Sequence, residues 1–153
     1  MLKSRKVPDV IRNYFQKRNW NFEEEKNVFH SNIALDGRTD GALLQLGIFE
    51  RSFYLLSILA FKIPEISIAP VQEYIAIINF YLGVGCFYLD REDNMLVFRV
   101  STILAEQIPS LEQVEYIFGY SIDMIENASE TVLDLIDGKL TPEQAVIQTL
   151  KES

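Results

Sequence analysis

The chain has 153 residues, 48% of them hydrophobic and 24% charged, and a formal net charge of -8 from 22 acidic and 14 basic side chains. This length and composition suffice for one hydrophobic core and are far from those of a disordered chain. The negative balance repels a phosphate backbone and removes the main term that drives nucleic-acid binding.

Cys86 is the only cysteine, so an intramolecular disulfide is excluded and a reducing cytoplasm is the expected compartment. The first residues carry charges and a proline in place of the apolar core of a secretion signal. The longest apolar stretch, residues 53–61, is about half of what a bilayer-spanning helix needs, so no membrane association is expected.

Val10, Ile11, Tyr14 and Phe15 recur at helical spacing and predict a first helix over residues 7–18, opened by Pro8 and Asp9. Its Lys and Arg residues fall mainly on the other side and at the C-terminal end, where they complement the helix dipole and form a solvated face. Residues 28–35, 43–50 and 53–61 are rich in β-branched, Leu or aromatic side chains and predict three consecutive strands. Residues 36–41 are dense in turn formers, and the short break at Arg51 and Ser52 requires an antiparallel hairpin. The third segment is apolar on both faces, which marks a central strand or one with a binding face.

After a proline-bounded link at residues 64–70, Val71, Tyr74, Ile75, Ile78 and Leu82 trace a second helix that Gly83 and Gly85 stop. Residues 86–90 and 95–100 flank a polar turn and form a second hairpin. Ser110 and Gln113 have capping-box spacing and open a third helix, which Asp137 and Gly138 close. Thr141, Pro142 and Gln144 repeat that start for a fourth helix over residues 142–151. The expected fold is a single α+β domain over residues 1–153, of order α-βββ-α-ββ-α-α, with helices packed on an antiparallel sheet of about five strands arranged 3+2.

The sequence offers little chemistry. His30 is the only histidine, which excludes any multi-histidine metal centre, and no imidazole-based triad is expected. His30 and Cys86 could pair only if the strands brought them together, and nothing local activates either. Gly83-Val84-Gly85 lies between a helix and a strand, the reverse of the turn that cradles a pyrophosphate. The loop from Asp36 to Gly41 fails as a calcium loop, because Arg38 stands at its third position and Gly47 at its twelfth. Asp90, Glu92 and Asp93 read as a solvated turn. No catalytic, cofactor-binding or metal-ligating residue is assigned, and the chain is not expected to be an enzyme.

The second helix is apolar nearly all round, with Ile77, Phe80 and Tyr81 outside its first stripe. The surplus face needs cover, either from the third helix or from a second copy of the chain in a homodimer. On the third helix, Glu112 with Glu115 and Glu126 with Glu130 share a face that is solvated or meets a basic partner segment. Candidate protein-contact residues are therefore Ile77, Phe80, Tyr81, Glu112 and Glu115. The alternative is a small-ligand sensor with an apolar pocket between the third helix and the sheet, lined by Phe87, Phe98 and Phe118. An extended peptide could also add to a sheet edge.

The stretches VQEYIAIINF (residues 71–80), GCFYLD (85–90) and MLVFRV (95–100) resemble the YbjN-like proteins, which share the fold of type III secretion chaperones. The pattern is a helix ending in an Asn-containing apolar turn, a Gly-Phe strand start, an Asp-closed hairpin and a returning strand with an Arg. The resemblance spans residues 8–137 and leaves the last helix outside. It implies a small α/β sandwich without enzymatic activity or catalytic residues, in a family labelled as bacterial sensory-transduction regulators. Secretion chaperones of similar fold are acidic homodimers that bind a segment of a client, so the implied function is a non-enzymatic protein-binding module, chaperone-like or regulatory.

Overall fold

The structure, a computed structural model, describes residues 6–49 and 51–152. Its elements are α1 (Lys6–Lys17), β1 (Glu23–Glu25), β2 (Val28–Ile33), β3 (Ala42–Ile48), β4 (Ser52–Leu59), α2 (Ile68–Tyr81), β5 (Cys86–Asp90), β6 (Met95–Ile103), α3 (Leu111–Ile136) and α4 (Pro142–Glu152). All strands join one antiparallel sheet of order β1-β2-β3-β4-β6-β5. The two predicted hairpin units meet where β4 pairs with β6, which places the doubly apolar β4 at the centre.

The sheet has six strands where five were expected. The additional strand, β1, is three glutamates, a composition that strands disfavour. It forms because Lys26 and Asn27 both take left-handed φ values, 49° and 65°, the pattern of a tight hairpin turn that pairs Glu25 with Val28. Helix α2 also starts earlier than predicted: a 3-10 turn at Glu65–Ser67 leads into it, and Pro70 falls in the first helical turn, where its missing N–H costs no hydrogen bond. The predicted caps at Ser110 and Thr141 form as reciprocal pairs with Gln113 and Gln144.

Strand alternation sorts the sheet into two faces. On the covered face, Phe29, Leu44, Leu55, Leu59, Phe98 and Phe87 are buried under the helices. They build two clusters. The first joins α1, the start of α3 and β2 to β4, and centres on Tyr14, Phe15, Phe29 and Phe118. The second joins α2, α4, the rest of α3 and the hairpin β5–β6, and includes Tyr74, Ile78, Phe87, Phe98, Val132 and Val146. Phe87 and Phe98 pack 4.7 Å apart in the second cluster, whereas Phe118 packs 4.5 Å from Tyr14 in the first. These three residues therefore fill two separate cores and do not line the shared pocket that a ligand sensor would need.

The surplus of α2 is covered in part within the chain, by α4 where the third helix was named as the cover. Ala145 and Val146 are buried with Val71 and Tyr74. The Tyr74 hydroxyl lies 3.0 Å from Thr149 Oγ1, which lies 2.6 Å from Thr131 Oγ1, so one buried hydroxyl chain ties α2, α4 and α3. Burial pushes the Tyr74 phenol up to about 12. Because the folded value is raised, its contribution is intact below the unfolded value near 10 and is lost as pH rises from there towards about 12. Urea midpoints measured across this range should fall more steeply for the native chain than for Tyr74→Phe, which lacks the ionisable group. Equal slopes would show that Tyr74 titrates as if exposed.

Candidate protein-interaction surface

The C-terminal end of α2 is tied to the sheet. Asn79 lies part-buried on the helix, and its amide reaches the edge strand β5: Phe87 N–H donates to Oδ1 at 2.8 Å, and Nδ2 donates to the Phe87 carbonyl at 2.9 Å. One side chain thus satisfies the outward backbone groups of β5 at that point and occupies part of the edge where an added strand would pair. At the other edge, β1 presents Glu23, Glu24 and Glu25, and Arg12 forks onto Glu24 at 2.6 and 2.8 Å. That contact holds the Glu24 carboxyl below its ordinary range. Gly85 has φ +79°, and a side chain there would run into the Phe98 ring, which explains the glycine before β5.

On this fixed support, Phe80 is 82% and Tyr81 63% exposed, with their rings edge-on at 5.1 Å. Val84 is exposed just beyond them, and its carbonyl accepts a 2.7 Å hydrogen bond from the Tyr120 hydroxyl of α3. Ile77 differs from its two companions. It is half-buried and packs against the second core. Of these three α2 residues, Phe80 and Tyr81 are exposed and Ile77 packs into the fold.

The acidic side chains of α3 divide into two groups. In the C-terminal half they bind the β2–β3 loop. The backbone N–H of Asp36 donates to Glu126 at 3.1 Å and that of Arg38 to Glu130 at 2.7 Å. The Arg38 guanidinium adds bonds to Glu130 Oε2 at 3.0 Å and Asp134 Oδ1 at 2.7 Å. Glu126 and Glu130, read from sequence as a solvated face, are thus partly engaged within the chain, and the loop that failed as a calcium site is clamped to the helix. In the N-terminal half, Glu115 pairs with Lys17 at 2.8 Å, whereas Glu112 and Asp123 have no ion pair among the described residues. Glu112 and Glu115 line one hollow of α3, and of the two only Glu112 has no ion pair among the described residues.

His30 and Cys86 stand in one cross-strand row on the uncovered sheet face, with Gln45, Leu56 and Arg99 between them. Four strand spacings separate them, about 19 Å, which rules out a nucleophile–base pair. His30 Nε2 instead lies 3.2 Å from Gln45 Oε1, and Gln45 donates to the Tyr54 hydroxyl at 3.3 Å. The Tyr54 ring covers Gly47 and carries the Arg99 guanidinium 5.5 Å from its centroid. Among the described residues no helix is long and apolar enough to cross a membrane.

The profile of the YbjN family, described as "Putative bacterial sensory transduction regulator", matches residues 8–134. The chain belongs to the YbjN family. The crystal structure of YbjN from E. coli, "a putative transcription regulator", superposes with a TM-score of 0.57 at 14% identity, covering 85% of this chain and 89% of that one. The HopA1–SchA chaperone–effector complex gives a TM-score of 0.55 at 11% identity, covering 90% of this chain and 95% of that one. No curated protein matches the sequence. The YbjN assignment and the chaperone-like α+β fold expected from residues 71–100 therefore hold, and at these identities the two structures speak for fold alone. In this YbjN-family chain, α4 lies beyond the matched residues, yet it packs into the second core. Sequence reasoning missed Val84 and Tyr116 as exposed apolar residues; the signal for both was an apolar residue outside the periodic stripe of its helix or turn.

Proposed function

We propose that this YbjN-family chain is a non-enzymatic protein-binding module, chaperone-like or regulatory, that works as a homodimer joined through the C-terminal end of α2. The observation that carries the reading is the pair Phe80 and Tyr81, exposed on a helix whose other apolar side α4 already covers. Two adjacent aromatic rings fixed on a rigid helix form the type of anchor that dominates interface energy. Ala69 and Ala76 are exposed on the same helix and leave room for a second helix to approach. A two-fold contact sets a patch against itself, so Phe80 would meet its own copy near the axis. The family and the chaperone-like fold support a protein partner over a reaction.

The chain's net charge of -8 opposes self-association at a distance, so an apolar contact between two copies should be tolerated better as salt screens the repulsion. Covalent trapping tests the geometry. Cys86 is exposed and is first replaced by Ser; Ala76→Cys in that background, which keeps both aromatic rings, should then form a disulfide-linked dimer under mild oxidation. Cysteine at Lys62, exposed and outside α2, should not. Equal cross-linking at both positions, or none at position 76, would refute the α2 contact.

A further inference from the structure

We infer that the surface running from Ile103 across Tyr116 and Gly119 of α3 takes a basic amphipathic helix of a protein partner. This inference rests on the reading of the chain as a protein-binding module and names the chemistry of one partner segment.

Three observations converge on this surface. The first is a groove of about 360 Å³ between the end of β6 and the start of α3, lined by Phe53, Ile103, Leu104, Ile108, Tyr116 and Ile117. It is open to water, with Ile103 85% and Tyr116 74% exposed, and Thr102, Gln107 and Gln113 add polar groups to its rim. Contiguous exposed apolar groups of this kind mark contact sites.

The second observation is Gly119, in the next turn of α3. A helical glycine weakens a helix relative to alanine and is kept where the backbone needs a left-handed conformation or where a neighbour crowds it. Neither reason applies, because Gly119 lies inside a regular helix and no atom stands within 4 Å of the position its Cβ would take. The notch opens outward beside Tyr116, Tyr120 and Asp123, which line one continuous hollow with it. A bare backbone at that point lets a second helix lie close along α3, between the ridges that Tyr116 and Tyr120 raise.

Charge selects the occupant. From Val100 to Gly138 the chain holds eight acidic residues and no Lys or Arg. Glu112 and Asp123 flank Tyr116 and Gly119 and have no ion pair among the described residues. On the α1 side of this surface Lys17 is engaged with Glu115 and Arg18 lies over the Tyr14 and Trp20 rings, while the Arg51 carbonyl accepts from the Leu104 and Ala105 N–H groups at the groove's end. Acidic groups beside an apolar groove complement a segment with Lys or Arg next to an apolar stripe, and they repel nucleic acid and anionic lipid.

The test uses the full chain and a labelled synthetic peptide of roughly 15 residues, long enough to form a helix on contact, with leucines at helical spacing and lysines elsewhere. Fluorescence anisotropy should show binding that weakens as salt rises, opposite to the salt response of the α2 dimer. Gly119→Leu, which meets no atom of its own chain, should lower affinity at least about tenfold with an unchanged circular-dichroism spectrum and melting point no lower. Glu112→Gln with Asp123→Asn should flatten the salt dependence. Binding unaffected by Gly119→Leu, equal binding of a scrambled peptide of the same composition, or no binding by the native chain would each overturn the inference. The dimer's mass, measured separately, should be unchanged by the α3 variants. A dimer that ignores the peptide therefore sinks this inference alone, and a monomer that binds it through Gly119 sinks the α2 contact alone.

Discussion

Alanine in place of Phe118 is expected to lower the unfolding free energy by about 3–5 kcal/mol, the range for removing a large aromatic from a packed core. Phe118 is fully buried and sits 4.5 Å from the Tyr14 ring and 5.5 Å, edge-on, from that of Phe15. It packs α3 onto α1 above the sheet, so the cavity would open among the Tyr14 and Phe15 rings. Those rings leave little freedom to collapse into the space. Urea unfolding followed by Trp20 fluorescence reports on the site directly, since the indole lies 5.8 Å from Tyr14. A loss under about 1 kcal/mol would mean that the first cluster can close around the gap.

The second large effect concerns α4. Ending the chain after Gly138 removes Ala145, Val146 and Thr149, all buried, and strips cover from Tyr74, Val132 and Leu135. It also leaves the Tyr74 and Thr131 hydroxyls without their shared partner. Burial of the Val146 side chain is worth about 1.5–3 kcal/mol when complete, and the half-buried Leu140 and Leu150 each add a part of that. The expected cost is on the order of 3–5 kcal/mol after the entropy regained by the freed residues. Thermal or urea unfolding of the truncated chain measures it. Unchanged stability would show that α4 is an appendage, and that the side of α2 beneath it is available to another protein.

Most of the architecture was legible because local signals agreed with one another. Helical periodicity from Val114 to Val132, the boxes at Ser110 and Thr141, and the Gly83 and Gly138 breaks all pointed one way, and the helices formed there. The misses share a physical cause, which is that they depend on contacts far apart in sequence. Three glutamates become β1 only because the Lys26-Asn27 turn folds them onto β2 and Arg12 of α1 pairs with Glu24. Arg38 reads as a calcium-loop defect until Glu130 and Asp134, more than ninety positions away, close on it. The face of α2 was correctly seen as oversupplied with apolar groups, but spacing could not say that α4 takes one side and leaves Phe80 and Tyr81 on the other.

The same limit applies to the candidate contact residues. Periodicity placed Ile77, Phe80 and Tyr81 together outside the core stripe, yet only the fold shows that Ile77 belongs partly to the monomer. A charge at Ile77 would therefore perturb folding and association together. Phe80 is the cleaner probe, since 82% of it already faces water.

Sedimentation equilibrium of the native chain beside Phe80→Glu tests most directly whether bare aromatic surface on α2 is a mating face. The native protein should sediment at twice the chain mass, and the variant, folded and equally stable, at the single chain mass under the same conditions, a weakening of at least about thirtyfold. A native chain that stays single at every concentration, or a variant that remains double, would contradict it.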